Sequence, residues 1–195
     1  MTHLRAADYS VRDADPPEAR AFIREYHYSK GCSNTHVHMH GLFQGDNLLG
    51  VAQWLPPTRV AAESVNRENW TRVLSLSRLA VHPSVPTNGA SFLLGRSERI
   101  IVREGKWVSL VTYADDFMGH TGAIYRATNW EYVGRMKGSP RWEDPDGKQI
   151  ARKSTKSRTN AEMIALGYRI VGVFDKHKFV KHLRQRRAPI GVGVL

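Results

Sequence analysis

The stretch from His82 to Ser91 runs out of a strand-like segment, through Val85-Pro86-Thr87-Asn88-Gly89, and into a helix that opens on small residues. Such a loop aims free backbone N–H groups outward at a helix start, where the helix dipole favours an anion. Gly89 and Ala90 would let a phosphate approach the backbone closely. Ser91 adds a hydroxyl donor, and Arg96 and Arg99 add positive charge along the helix. The competing reading is an ordinary loop with Asn88 or Ser91 as the helix cap. It is not a Walker-type loop, because no Gly-Lys-Ser/Thr follows.

Other candidates lie further along the chain. Tyr125 sits in Gly122-Ala-Ile-Tyr-Arg-Ala-Thr-Asn-Trp-Glu-Tyr-Val-Gly134, on a short expected helix, where a phenol could protonate a thiolate leaving group. It could equally be core, as aromatic residues on short amphipathic helices often are. Asp115 and Asp116 close a strand-like run at the end where sheet clefts open, suited to a base, a metal ligand or a turn cap. His27-Tyr28-Ser29-Lys30 sets an imidazole beside a phenol. His36, His38 and His40 alternate and would share a strand face, as zinc or nickel ligands or as histidines on a half-exposed strand.

These residues need a scaffold. Pro16-Pro17 opens a helix over 18–26. His36 to Phe43 and Leu48 to Trp54 read as strands joined by Gln44-Gly45-Asp46-Asn47, which is hairpin chemistry. A short helix is expected at 70–73 with Asn69 as cap, then a strand over 74–81, where small polar and apolar residues alternate. A helix over 90–104, a strand over 107–113, a helix over 121–128 and a strand over 131–136 follow. Residues 138–146 read as loop because of Pro140, Pro145 and Asp146-Gly147. A helix over 160–166 and a strand over 168–174 complete the series. This order predicts a mixed α/β (α+β) domain over 1–187 with a partly antiparallel sheet and a mobile tail over 188–195. The early hairpin argues against a doubly wound parallel sheet.

Composition sets the outer bounds. Hydrophobic residues make up 41% and charged residues 24%, which rules out wholesale disorder. No apolar run approaches the roughly 20 residues that a membrane span requires. The first 17 residues lack an apolar signal core, so a cytoplasmic protein with no membrane partner is expected. Cys32 is the sole cysteine, which excludes an intrachain disulfide and a cysteine-based zinc site. The net charge of +11 predicts a polyanionic partner. Lys148, Arg152, Lys153, Lys156 and Arg158 form one basic stretch. Lys176, Lys178, Lys181, Arg184, Arg186 and Arg187 form another. Each is either a nucleic-acid footprint or a solvated face.

Taken in order, the elements resemble the GNAT N-acetyltransferase superfamily. More narrowly, the chain is similar to the Mom family of phage DNA-modification proteins. The resemblance rests on His27-Tyr28-Ser29-Lys30, Gly50-Val-Ala-Gln-Trp-Leu-Pro-Pro57, Leu76-Ser-Arg-Leu-Ala-Val-His-Pro83, Asn88-Gly-Ala-Ser-Phe-Leu-Leu94, Thr112-Tyr-Ala-Asp115 and Tyr125 to Gly134, and it covers about residues 22–180. The usual Arg/Gln-x-x-Gly-x-Gly/Ala signature of GNAT enzymes is replaced by Val85-Pro-Thr-Asn-Gly-Ala90.

The resemblance implies an enzyme that modifies the exocyclic N6 amine of adenine in double-stranded DNA. The product would be a methylcarbamoyl (acetamido) adduct that shields phage DNA from restriction. It implies acetyl-CoA or a related acyl-CoA as cofactor, with Arg78, Val81, Asn88, Gly89, Ala90 and Ser91 around it. Tyr28, Asp115 and Tyr125 would be catalytic, and His27, Tyr28 and Asp115 would be candidate iron ligands. DNA contacts would fall to Lys148, Arg152, Lys153, Lys156, Arg158, Lys176, Lys178 and Lys181, with Trp142 or Phe117 stacking on a flipped base. The alternative is a conventional acetyl-CoA-dependent N-acetyltransferase acting on a small-molecule or protein amine. A non-catalytic DNA-binding module ranks third. The oligomeric state, a homodimer among the options, stays open.

Overall fold

The computed structural model describes residues 3–150 and 158–184. The chain forms two compact units. The first holds the described residues of Met1–Thr112, Ile124–Glu131 and Phe179–Leu195, and the second holds Tyr113–Ala123 and Tyr132–Lys178. The architecture is mixed α/β with a large mixed sheet, as the element order predicts.

In the first unit, α1 (Pro16–Tyr26) starts where expected. Asp15 caps it by accepting from Glu18 N at 3.1 Å, and Pro16-Pro17 occupies the turn that needs no donors. Its apolar side, Ala19, Phe22 and Ile23, packs with Met39, Phe43, Val51 and Ala80 of the sheet. Strands β2 (His38–Gln44) and β3 (Asn47–Leu55) form the expected hairpin. Gln44 faces Asn47 across a two-residue turn in which Gly45 takes φ +58°. One strand not expected from the sequence, β1 (Ser10–Asp13), pairs antiparallel with β2. Between β3 and β4 a helix α2 (Arg59–Glu63), capped by Thr58, was also not expected, and residues 70–72 form a single 3-10 turn.

Strand β4 (Val73–Val81) pairs antiparallel with β3 from Ser75 to Val81. It is parallel to β5 (Ser109–Asp115) only from Val73↔Ser109 to Ser75↔Val111. Beyond Ser75, β4 continues to Val81 on its pairing with β3 alone. Helix α3 (Gly89–Glu104) buries Leu93, Leu94, Ser97, Glu98 and Ile101 and ends at Gly105, whose φ of +67° suits glycine. Helix α4 (Ala123–Ala127) carries Tyr125.

The second unit contains β6 (Glu131–Glu143), the short β7 (Gln149–Ile150), α5 (Asn160–Ala165) and most of β8 (Arg169–His182). Its contacts Tyr132–His177, Arg135–Asp175 and Arg169–Glu143 fall in the decreasing order of an antiparallel β6–β8 pair. A full capping box of Thr159 and Glu162 starts α5. The expected loop over 138–146 is instead largely strand, with β6 continuing through Pro140 to Glu143. Strand β8 likewise runs on to His182, through residues read from sequence as a basic appendage. The expected mobile tail over 188–195 lies outside the described residues.

The three alternating histidines are not a half-exposed row. His40 is fully buried, with Nδ1 2.6 Å from Ser97 Oγ and its ring stacked on His38 at 5.1 Å, while His36 precedes the strand. Burial pushes the His40 pKa down to about 4, with His38 acting in the same direction and Asp13 opposing. The unfolded chain therefore binds a proton that the folded chain refuses. Stability held above pH 6.5 should fall by about 3 kcal/mol as the pH drops towards 4. Urea unfolding at pH 7.5 and 4.5 should show this loss in the wild type and a clearly smaller one in His40→Gln.

Candidate active site

Tyr125 belongs to the first unit. Its hydroxyl lies 3.4 Å from Thr112 Oγ1, which itself sits 3.2 Å from the Leu76 carbonyl oxygen, so the phenol stands beside the place where β4 and β5 cease to pair. The ring packs on Phe179 and Trp130, with centroids at 5.1 and 5.8 Å. Burial raises its pKa, the Thr112 contact opposes, and the Tyr28 phenol adds to the rise. Tyr125 thus keeps its proton, as an acid requires, and Tyr28 lies within its electrostatic reach.

His27 and Tyr28 follow α1 as a stacked pair with centroids 4.3 Å apart. Ser29 N donates to His27 Nδ1 at 3.2 Å, so that nitrogen is the unprotonated one and is already engaged. Asp115, in the second unit, is buried. Its carboxylate accepts from Phe117 N and forms an ion pair with Arg141, whose guanidinium also lies over the Phe117 ring at 5.4 Å. Among the described residues, no three or more His, Cys, Asp or Glu gather as a metal site would need. With His27 Nδ1 and the Asp115 carboxylate both occupied, the iron set implied by the resemblance gains no support, and no chemistry is derived through a metal.

The loop before α3 differs from its sequence reading. Gly89 is small because a Cβ there would meet Val85 Cγ1 at 2.0 Å, and its own N–H donates to Pro86 O at 2.7 Å. Asn88 holds the cap position, yet its side chain accepts from Leu4 N instead of capping the helix. Ser91 Oγ donates to Asn88 O at 2.9 Å. Arg78 is also occupied, donating to Gly31 O from Nε and to Ser77 O from Nη1. Val81 ends β4 half-buried.

An open groove of about 680 Å³ runs along α3, lined by Ser91, Gly95, Arg99 and Arg103 together with Thr128 and Lys181. Gly95 leaves space there, since a Cβ would meet nothing within 4 Å. At the back of the groove is a residue the sequence reading missed. Glu98 is buried, accepts from Trp130 Nε1 at 2.5 Å, and forms an ion pair with Lys181, which also donates to Thr128 O at 2.7 Å. Burial raises the Glu98 pKa against the pull of Lys181, Trp130 and Arg99. Its partner Lys181 is 83 residues away in sequence, so no local pattern could have marked the pair.

The basic stretches are not uniformly exposed. Lys148, Arg158 and Lys176 are exposed, whereas Lys178 is buried and Lys181 is turned to Glu98. Arg152, Lys153 and Lys156 lie outside the described residues. Trp142 is fully buried, which removes it as a stacking platform, and Phe117 packs edge-on against Phe174 at 4.7 Å.

The fold is one shared with solved acetyltransferases. The structure is similar to a Salmonella typhimurium acetyltransferase solved with acetyl-CoA (TM-score 0.56, 12% identity, 94% of this chain and 99% of that one). It is also similar to the Escherichia coli ribosomal-protein-S18-alanine N-acetyltransferase (TM-score 0.52, 11% identity, 96% and 99%). Within that fold, residues 8–186 match the Mom protein family, and the chain belongs to it. A curated relative, the methylcarbamoylase Mom of Escherichia phage Mu, is 26% identical over 189 residues, covering 86% of this chain and 73% of the relative.

The Asp115–Arg141 pair yields a stability test. Removing Arg141 leaves a buried carboxylate without its counter-charge, a change that typically costs several kcal/mol. Because Arg141 is 29% exposed, the expected loss for Arg141→Met is about 2 kcal/mol, read as a lowered urea midpoint. Arg141→Met with Asp115→Asn should recover part of it.

Proposed function

We propose that this chain is a DNA-modifying transferase that adds a methylcarbamoyl group to the N6 amine of adenine in duplex DNA and so protects that DNA from restriction. The observation that carries this reading is the match to the Mom family over residues 8–186, with its tyrosine kept protonated beside the parting of β4 and β5. The net charge of +11 suits a polyanionic substrate. Exposed Lys148, Arg158 and Lys176 would contact phosphates, and the target base would leave the stack to be reached.

The residues present fit an acyl-CoA donor. The β5-side edge of β4 has no strand ladder from Leu76 to Val81; Leu76 O is taken by Thr112 and Ser77 O by Arg78, and the remaining backbone groups can bond an extended amide-bearing arm. Arg99 and Arg103 line the α3 groove where phosphates would lie. When bound, such a donor would supply a two-carbon group as a thioester; displacement at its carbonyl alone gives an acetyl group, so a methylcarbamoyl product, joined through the methyl carbon, also takes an amide nitrogen that the thioester does not hold. Tyr125 holds a proton at Oη for a departing thiolate, Thr112 orients that hydroxyl, and the Glu98–Lys181 pair fixes the wall of the groove. Asp115, locked to Arg141, positions the turn that follows β5. This activity would take place in the host cytoplasm.

Mass spectrometry of nucleosides from cells expressing the chain should reveal mass-shifted adenosine. Tyr125→Phe should lower it by roughly 10²-fold or more without loss of folded protein. Folded, soluble protein that leaves all adenosine unmodified would sink the proposal. Arg99→Ala with Arg103→Ala should weaken acetyl-CoA binding by about tenfold in calorimetry at low salt. The structural neighbours favour a second reading, an N-acetyltransferase for small-molecule or protein amines. Acetyl-CoA turnover on such amines, with no salt-sensitive DNA binding, would select it.

A further inference from the structure

Gln53, near the end of β3, is fully buried. Its Nε2 donates to Ser33 O at 2.9 Å, while no described group donates to its Oε1. Leaving a buried acceptor without a donor costs more than an ordinary hydrogen bond returns. An orphaned acceptor in a folded interior calls for an explanation, and a donor that arrives with a ligand is one.

Gln53 stands beside the tyrosines of the candidate site. It pairs with Arg78 across β3 and β4, and the two side chains grip one segment. Arg78 Nε donates to Gly31 O at 2.7 Å, and Gln53 Nε2 holds Ser33 O two residues on. That segment begins at Tyr28, the phenol within electrostatic reach of Tyr125. Two residues before Arg78, Leu76 O accepts from Thr112 Oγ1, which lies 3.4 Å from the Tyr125 hydroxyl. Residues 28–33 therefore run from the neighbourhood of Tyr125 to the Gln53 carboxamide, and all of these groups belong to the first unit. The segment forms neither helix nor strand, and among the described residues its polar hold on β3 and β4 runs through Arg78 and Gln53.

We propose that Gln53 reads the target base, its carboxamide taking the N6/N7 edge of adenine in the place that Ser33 O now holds. This rests on the adenine reading above. A carboxamide sets a donor and an acceptor side by side in one plane, and adenine answers with an acceptor at N7 beside a donor at N6. Nε2 exchanges one acceptor for another, and Oε1 gains an N6 hydrogen, so the base satisfies the atom that the protein alone leaves without a donor. An adenine drawn out of the stack brings that edge into a protein interior. Guanine presents O6 beside N7, which would set oxygen against Oε1, and the pyrimidines have no N7. Gln53 is thus a substrate-binding residue that determines specificity, and the departure of Ser33 O couples capture of the base to the segment that carries Tyr28.

The test removes N7 from the base and the carboxamide from the protein. Duplexes of one mixed sequence are made with adenine throughout or with 7-deazaadenine throughout, which keeps the N6 amine and lacks N7. Each is incubated in a lysate of cells expressing the full chain, which supplies the group donor, and modified nucleosides are measured by mass spectrometry. The wild type should modify the 7-deaza duplex about tenfold less than the adenine duplex. Gln53→Met, which keeps the length of the side chain and removes both polar groups, should lower modification of the adenine duplex about tenfold and treat the two duplexes alike. Its urea midpoint should not fall, because the orphaned acceptor leaves with the amide. Gln53→Asn, whose carboxamide is drawn back by one methylene, should also lose the preference and keeps the test open if Gln53→Met does not fold. Equal modification of the two duplexes by the wild type overturns the proposal, and so does a preference for adenine that survives in the folded variants. Host DNA from the same lysate reports separately on the underlying reading: if the wild type leaves its adenosine unmodified too, that reading fails and the proposal falls with it.

Discussion

Two neighbouring residues on α3, Ser97 and Glu98, hold the first unit in register. Ser97 Oγ accepts from Trp54 Nε1 at 2.7 Å, which leaves its own proton for His40 Nδ1. Glu98 accepts from Trp130 and is neutralised by Lys181. The two indoles bound by these adjacent side chains stack on each other with centroids 6.4 Å apart. One helical step therefore ties α3 to β2, β3, the corner after α4 and the end of β8. Buried polar atoms are costly unless paired, so any slip of α3 by a residue would orphan several at once. The groove along α3 and the placement of Tyr125 both inherit their geometry from this lock.

The pairing of charges also decides which candidate groups remain free for chemistry. Arg78, Asp115 and Lys181 are all of the right type for a site, yet each is committed to a partner within its own unit. What remains available is less conspicuous: a tyrosine held protonated by burial, and two arginines on the helix beside Gly95. Residue type nominates a site, but the accounting of donors and acceptors around each group determines its role.

Much of the scaffold was legible because its signals are local. Alternation over 74–81, the Gly45-Asp46 turn and the Pro16-Pro17 helix start each depend on a few adjacent residues, and all three stand as read. The misreadings share a physical origin in distant partners. Lys178 and Lys181 read as exposed charge, for DNA or for solvent, because the burial of one and the carboxylate facing the other are set by residues far along the chain. Strand β6 was read as ending at Met136 because Pro140 is a strand breaker on average, while its pairing with β8 overrides that preference. Strand β1 is too short and polar to announce itself without β2 beside it. Of the site, Tyr125 and Tyr28 were legible as types in a family order. Glu98 required the fold.

The early end of the β4–β5 ladder has a consequence outside catalysis. Backbone amides and carbonyls left unpaired along a strand edge accept any extended chain, whether a ligand's arm or a segment of another protein. Natural sheets usually guard such edges with charge or a bulge, and here the row from Leu76 to Val81 offers mostly small and apolar side chains. An occupant with amide groups would act as a plug, satisfying the edge and removing a template for mispairing. Any ligand held along that edge would therefore favour the folded chain in proportion to its concentration.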